Sequence, residues 1–512
     1  MRTDEINPMA PLTMKKLHFW ILSISIVLLT MTALLKINGA PLSGDAPNNL
    51  DYAYHLSHHG VMATEQDGKI LATHNREPLP IALMALWIQS TPALSNAENL
   101  RVLNQPQQLK LLKYSNVLWV AALLVGVVLL VRVATADFLT DQMLFISQLI
   151  TLFLVATIFP IFNIVNNLLT ELQAATLLIW LAWAAMLASK TPRVRHFVMV
   201  GVLLAALILT KAAFAYIGIG AFMLWSIRAL QWKQKSLLTG GLIAFLVTIS
   251  LVTPWIIRNY YQVGEWSLAG RGPIVLIVRA YKSNMTNAEF TGGFYAYGPQ
   301  WLKPTLSHLT GFNAKDRELG GRRERFRRFH PQDEAARERG DEASAVGFYI
   351  KATTHANNIY QSYAKQHADP QLARKLAEQQ IKNEAIERIK NNLTGHLKTS
   401  LLFAWRGTWP HNTVDGIEIS RKIPGVTAWK NKNIASALGL MSVIGLFLIG
   451  LNHRYSHYFA ISLFPVGMFS FHALLTHYIP RYSYPMIPIW LVCGVVVFSL
   501  MLHHFLLKFV KK

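Results

Sequence analysis

The sequence predicts an all-α, polytopic membrane protein. Three observations carry that prediction: 52% of the 512 residues are hydrophobic, only 15% are charged, and apolar runs recur at bilayer length. A soluble chain of this size carries roughly a quarter charged residues. The mean hydropathy of +0.28 agrees with a membrane class.

The apolar runs fall at about 19–37, 115–134, 143–160, 172–188, 197–210, 212–228, 237–254, 434–451, 458–476 and 485–507. Each approaches the ~20 residues that a helix needs to cross hydrocarbon. That makes roughly ten crossings, with the pair meeting at Lys211 open to a different count. The net charge of +22 raises the question of nucleic acid. Much of it flanks the apolar runs, however, which is how Lys and Arg orient a membrane protein, so no nucleic-acid partner is expected. One set of alternate loops holds Lys15, Lys16, Arg132, Lys190, Arg193, Arg195, Arg228, Lys233, Lys235, Arg454, Lys508, Lys511 and Lys512. The opposite set is poor in charge: 161–171 has no Lys or Arg, and 477–484 has only Arg481. Both termini are therefore expected in the cytoplasm. The first run follows KKLHF and precedes INGA, as a signal peptide would, but its apolar core is longer than a signal h-region and is expected to remain as a span. Cys493 is the single cysteine, so neither an intramolecular disulfide nor a cysteine zinc site is available.

Three parts follow: an N-terminal transmembrane module over 1–272 with an outward segment at 38–114, an outward, mainly helical segment at 273–433, and C-terminal transmembrane helices at 434–512. Within the first outward segment, PLPIALMALWI (78–88) is apolar but short, which suits a helix lying at the interface. The second reads as largely helical from 333 to 404, with Leu376, Ile381, Ala385, Ile389 and Leu393 at helical spacing. After it, LLFAWRGTW (401–409) is expected to return to the membrane surface. No internal repeat or low-complexity tract is present.

An ionisable group beside a span is costly unless paired or hydrated, so each is a candidate. Asp45 lies in LSGDAPNN beyond the first run, Glu77 in HNREPLP, Glu171 in NNLLTELQ, and Lys211 in ALILTKAAF. The charge pattern places all four on the outward side. Each also has a plain structural role available: a turn for Asp45, helix starts for Glu77 and Glu171, and a snorkelling anchor for Lys211.

Their order and local wording resemble the bacterial GT-C glycosyltransferases, the group that holds protein O-mannosyltransferases and lipid A aminoarabinose transferases. The matching stretches are Asp45 followed by YAYHLSHHG ending at Gly60, REPLPIALMALW with Glu77, TEL with Glu171, and LTK with Lys211. TPWIIRNYYQVGEW (253–266) and RYSYPMIP (481–488) resemble that group's Pro-Trp…Arg-Asn and Arg-Tyr…Pro…Pro segments. The resemblance covers 1–272 and about 373–512. Many relatives carry a second acid after the first, where this chain has Ala46, and lipid A modifiers carry Lys where Pro78 stands. The Arg-rich stretch RELGGRRERFRRF (317–329) has no counterpart in the pattern.

The resemblance implies a GT-C-like architecture with amphipathic outer-loop helices and a helical periplasmic segment, in a bacterial inner membrane with the active site facing the periplasm. It implies transfer of a sugar from a polyprenyl-phosphate donor to a lipid, glycan or protein acceptor, with inversion. No phosphate loop of the GxxxxGK[ST] kind is present for a nucleotide sugar. Asp45 would be the general base, with Glu77 and Glu171 binding sugar hydroxyls, orienting Asp45 or contributing to a cation site. Lys211, Arg258 and Arg481 would hold the donor phosphate. A divalent metal ion is the one cofactor that the pattern leaves room for. A lipid-linked polysaccharide polymerase or ligase is the nearest alternative activity, and a transporter or flippase is the alternative class.

Overall fold

In the computed structural model, residues 11–66, 68–270, 272–327, 330–411 and 432–510 are described. Among them, nine helices are long and apolar enough to cross a membrane: Met14–Lys36, Pro106–Thr135, Asp141–Ile158, Glu171–Lys190, Ala213–Gln231, Lys235–Val263, Lys432–Ile449, His453–Leu475 and Pro480–Leu507. The chain is thus an all-α, polytopic membrane protein. The tenth apolar run is the 15-residue helix Val194–Ile208, short of a full crossing by itself. It ends where Leu209, Thr210 and Lys211 turn the chain into Ala213–Gln231. Lys511 and Lys512 lie outside the described residues.

The helix Glu171–Lys190 is the hub. Its apolar window is 72% buried, against 6% for Met14–Lys36 at the edge. It packs on Ser115–Thr135, Val194–Ile208 and Ser456–Leu475. The approach to Ser115–Thr135 depends on Gly126, where a Cβ would stand 2.9 Å from Ile179 and Trp180. Such contacts come from small residues because apolar burial drives nothing between helices in lipid. The edge helix leaves Leu17, Trp20, Ile24, Val27, Leu28 and Leu35 exposed, a surface that suits lipid rather than water.

Segment 38–114 adds two features. Helix Pro78–Ser90 buries Ile81, Met84, Ala85 and Ile88, largely against helix Ala46–His59. A small antiparallel hairpin, Ala63–Gln66 with Lys69–Ala72, stands between them, an addition to the all-helical expectation. In segment 273–433, helices Pro331–Arg339, Phe348–Gln366, Pro370–Asn391 and Leu393–Thr408 cover most of the stretch expected to be helical. The buried stripe of Pro370–Asn391 is Ala373, Ala377, Ile381 and Ala385, so Ile381 and Ala385 lie where the spacing placed them, while Ala373 and Ala377 extend the stripe toward the start of the helix. Leu376 and Ile389 are only half-buried, and Leu393 is exposed because it starts the next helix. Alanines let this helix lie close to Gly272–Lys282, its main neighbour.

Candidate active site

Asp45 precedes helix Ala46–His59 and follows Gly44, whose φ of +65° only glycine adopts freely. Its carboxylate makes no capping bond to that helix. Arg76 Nη2 lies 2.7 Å from Oδ1, and Arg481 Nη2 donates to Oδ2 at 2.7 Å. Asparagines beside Glu171 pin this loop. Asn167 Nδ2 donates to the Ser43 carbonyl at 3.1 Å and to its Oγ at 2.9 Å. Asn166 Nδ2 donates to the Lys36 carbonyl at 2.9 Å, and Asn49 Nδ2 reaches the Leu168 carbonyl at 2.8 Å. Asp45 and Glu171 are brought together by these bonds rather than by apolar packing alone.

Glu171 is the first residue of its helix, and its side chain is 4% exposed. Oε1 lies 3.3 Å from Arg481 Nε and 3.6 Å from Lys211 Nζ, while no hydrogen-bond donor meets Oε2. A buried carboxylate oxygen without a donor is unusual, because such groups are nearly always hydrogen-bonded. Lys211 Nζ also donates to Thr170 Oγ1 at 3.0 Å. Arg481 is thus shared between two carboxylates, and Lys211 stands behind the second.

These groups face a cavity of about 1470 Å³. Asp45, Glu171, Arg481, Tyr482 and Tyr484 contribute to its wall from the membrane helices and their loops. Segment 273–433 supplies Lys282, Tyr297, Arg323, Arg325 and Arg406, among others. Arg317, Arg323, Arg325 and Arg327 of the Arg-rich stretch therefore line the same cavity as Asp45; Arg328 and Phe329 lie outside the described residues.

Two sequence candidates are placed elsewhere. Glu77 Oε1 accepts the backbone N–H of Ala212 at 2.9 Å, next to Lys211, and the Leu79 N–H bonds the Leu209 carbonyl at 3.0 Å. Its carboxylate sits at the positive end of helix Ala213–Gln231. Arg258 donates from Nη1 to the Thr73 carbonyl at 2.9 Å and from Nη2 to the Met62 carbonyl at 3.1 Å, with its guanidinium 4.7 Å from the Trp255 ring. Those bonds hold the hairpin region rather than line the cavity. Arg76 was missed although it adjoins Glu77 in the REPLP stretch, where the acid drew the attention.

Both Asp45 oxygens face guanidinium groups, and Ala46 beside it is fully buried, so this loop offers a cation neither a vacant carboxylate nor a second acid. The residues that could hold a metal are His74, Glu265 and Glu378, whose ligand atoms lie within 4.8 Å of one another. Their charges are already partly met: His74 Nε2 is 3.1 Å from Glu265, and Arg374 Nε is 2.9 Å from Glu378. Burial pushes the Glu378 carboxyl up, while at Glu265 the bond and charge of His74 outweigh burial and hold it below the usual range.

No family model matches the chain, and no curated protein matches it. Solved structures of low identity do. One is the archaeal oligosaccharyltransferase AglB from Archaeoglobus fulgidus, in complex with an inhibitory peptide and a dolichol-phosphate. It is 12% identical with a TM-score of 0.48, over 94% of this chain and 50% of that one. Another is ArnT from Cupriavidus metallidurans bound to undecaprenyl phosphate, 11% identical with a TM-score of 0.36, over 91% of this chain and 77% of that one. The chain spans about half the length of the archaeal enzyme that it matches.

Proposed function

We propose that the chain is a membrane glycosyltransferase that moves a sugar from a polyprenyl phosphate to an acceptor hydroxyl on the outward, periplasmic face, with inversion. The observation that carries this reading is the sharing of Arg481 between Asp45 and Glu171 at the wall of a large cavity, beside the start of the span Glu171–Lys190. A donor phosphate competes for a guanidinium with a planar fork of N–H groups. As Arg481 turns to the phosphate, Asp45 loses one of its partners and can turn toward the acceptor. The acceptor hydroxyl then gives its proton to Asp45 while its oxygen forms the bond to the anomeric carbon. The bond from that carbon to the phosphate oxygen breaks on the opposite side, and polyprenyl phosphate leaves with the electron pair. General-base help of this kind is worth a factor of about 10²–10⁴. Arg481 stabilises the growing charge on the leaving phosphate.

Glu171 Oε2, buried and without a donor, suits a sugar hydroxyl. Lys211 lies off the cavity wall, so Arg481 is the primary phosphate group and Lys211 supports it through Glu171. Glu77 positions Lys211 through the Ala212 N–H. The test is release of free polyprenyl phosphate from a radiolabelled lipid-linked sugar by the purified chain in proteoliposomes. Movement of intact donor across the bilayer without that release would instead identify a transporter. Chain-length analysis of the product separates single transfer from polymerisation.

A further inference from the structure

The Arg-rich stretch brings one side chain into an unusual position. Arg323 is 2% exposed, and among the described residues no carboxylate or carbonyl meets either of its terminal nitrogens; the Tyr297 hydroxyl and the charge of Glu289 are what act on it. Its guanidinium packs 5.1 Å from the Tyr297 ring centre and 4.3 Å from that of Phe326. On the same Tyr297 ring, at 4.5 Å, lies the guanidinium of Arg406, itself 8% exposed. Arg406 Nη1 donates to the His477 carbonyl at 3.3 Å, and no acceptor meets its Nε. The neighbouring acid, Glu289, is taken by Arg325, whose Nε and Nη2 donate to its two carboxylate oxygens. Lys282 lines the cavity too, and after burial its charge and that of Arg406 hold the His477 imidazole well below its ordinary pKa. Two buried guanidiniums around one ring, with open donors, carry an electrostatic penalty that an anion relieves.

We propose that Arg323 and Arg406, flanking Tyr297 on the outward wall of the cavity, form a second anion subsite for a phosphoryl group distinct from the one beside Arg481. The proposal rests on the transferase reading for its place in the reaction, but not for its chemistry. A cavity of about 1470 Å³ exceeds the ~300–1,000 Å³ of single-ligand pockets, so it has room for two charged head groups. The group comes either from a second phosphate of a diphosphate-linked donor or from a phosphorylated acceptor. A guanidinium pair over an aromatic ring recognises both in the same way.

The experiment uses the full chain in nanodiscs and inorganic pyrophosphate as the probe, read by titration calorimetry and by anion-dependent thermal shift. Arg323→Met and Arg406→Met keep the packing on Tyr297, and each should weaken pyrophosphate binding by about tenfold or more. Without anion, Arg323→Met should melt no lower than wild type, because it removes a buried charge with no carboxylate to itself. Arg337→Gln, an exposed arginine of the same wall, should leave binding within about twofold, since exposed charge contributes little. Equal losses from Arg337→Gln would mean a general basic surface and overturn the subsite. So would wild-type binding that survives both Met variants, or no binding at millimolar probe. With active donor, a transfer defect of Arg323→Met confined to diphosphate-linked sugars places the group on the donor. A raised KM for phosphorylated acceptor only places it on the acceptor. Should no donor be turned over while pyrophosphate binding still depends on Arg323, the transferase reading falls and the anion subsite stands.

Discussion

The two walls of the cavity both use arginine, and they treat it differently. On the membrane side, Arg481 is divided between Asp45 and Glu171, and Arg76 sits on the remaining Asp45 oxygen. On the opposite side, Arg325 is paired with Glu289 and Arg322 with Asp316, whereas Arg323 has no carboxylate to itself among the described residues: it packs on the Tyr297 and Phe326 rings, with the Tyr297 hydroxyl and the Glu289 charge acting on it. A paired charge stays in place until a competitor takes its partner, so it can change hands during a reaction. A buried charge with no carboxylate to itself has binding capacity still open, so it suits a ligand that is held throughout. The first wall fits bond making and breaking, the second fits positioning.

The strongest way to break this contrast is Asp45→Asn. Transfer should fall by about two orders of magnitude or more, on the order of 3 kcal/mol in the barrier, with donor binding little changed. Steady-state release of polyprenyl phosphate, alongside donor binding, measures both; near-normal transfer would move the base to Glu171. Arg481→Gln comes next, with an expected rise of about tenfold in donor KM as the fork is lost. Arg481→Lys should recover only part, because an ammonium keeps the charge without the fork.

Lys211→Ala should weaken donor use by less than Arg481→Gln, roughly threefold to tenfold, since it acts through Glu171. A larger effect than that of Arg481→Gln would reverse the order of the two cations. Glu77→Ala should lower the stability of the inserted protein by about 1 kcal/mol, as loss of a helix-end acceptor does. Glu77→Gln keeps an oxygen for the Ala212 N–H and should restore most of it. Loss of turnover in Glu77→Gln, at normal thermal stability, would bring Glu77 into the chemistry.

The smallest expected effect is on pH. Burial, reinforced by the Arg279 charge, lowers the His396 pKa to about 4, and His477 is also depressed. Both stay neutral in the fold and gain a proton on unfolding near the ordinary ~6.5. Their stabilisation is therefore complete above that value and is lost as pH falls through it toward the folded pKa. Thermal midpoints at pH 8, 6.5 and 5 should decline in that order, and His396→Gln should flatten the decline.

The spans were legible because they are local. A run of apolar residues declares itself within one window, and each of the ten runs became a helix, with Val194–Ile208 falling short of a full crossing. The turn at Asp45 and the helix starts at Glu77 and Glu171 were legible for the same reason: a few neighbouring residues determine them. Amphipathic spacing located the helix Pro370–Asn391 and two residues of its buried face, Ile381 and Ala385, but missed Ala373 and Ala377. How far that face extends depends on how closely the neighbour lies, and alanines allow the closest approach.

Only the tertiary structure decided which charges meet. Asp45 and Arg481 pair across 436 positions, Arg323 and Arg406 share the ring of Tyr297, and no local pattern encodes either distance. The same holds for what dropped out of the cavity: Glu77 and Arg258 have the residue types of a site, but backbone groups of neighbouring segments claim them first. Charge type is written in the sequence, whereas the partner of a charge depends on packing that the whole chain settles together.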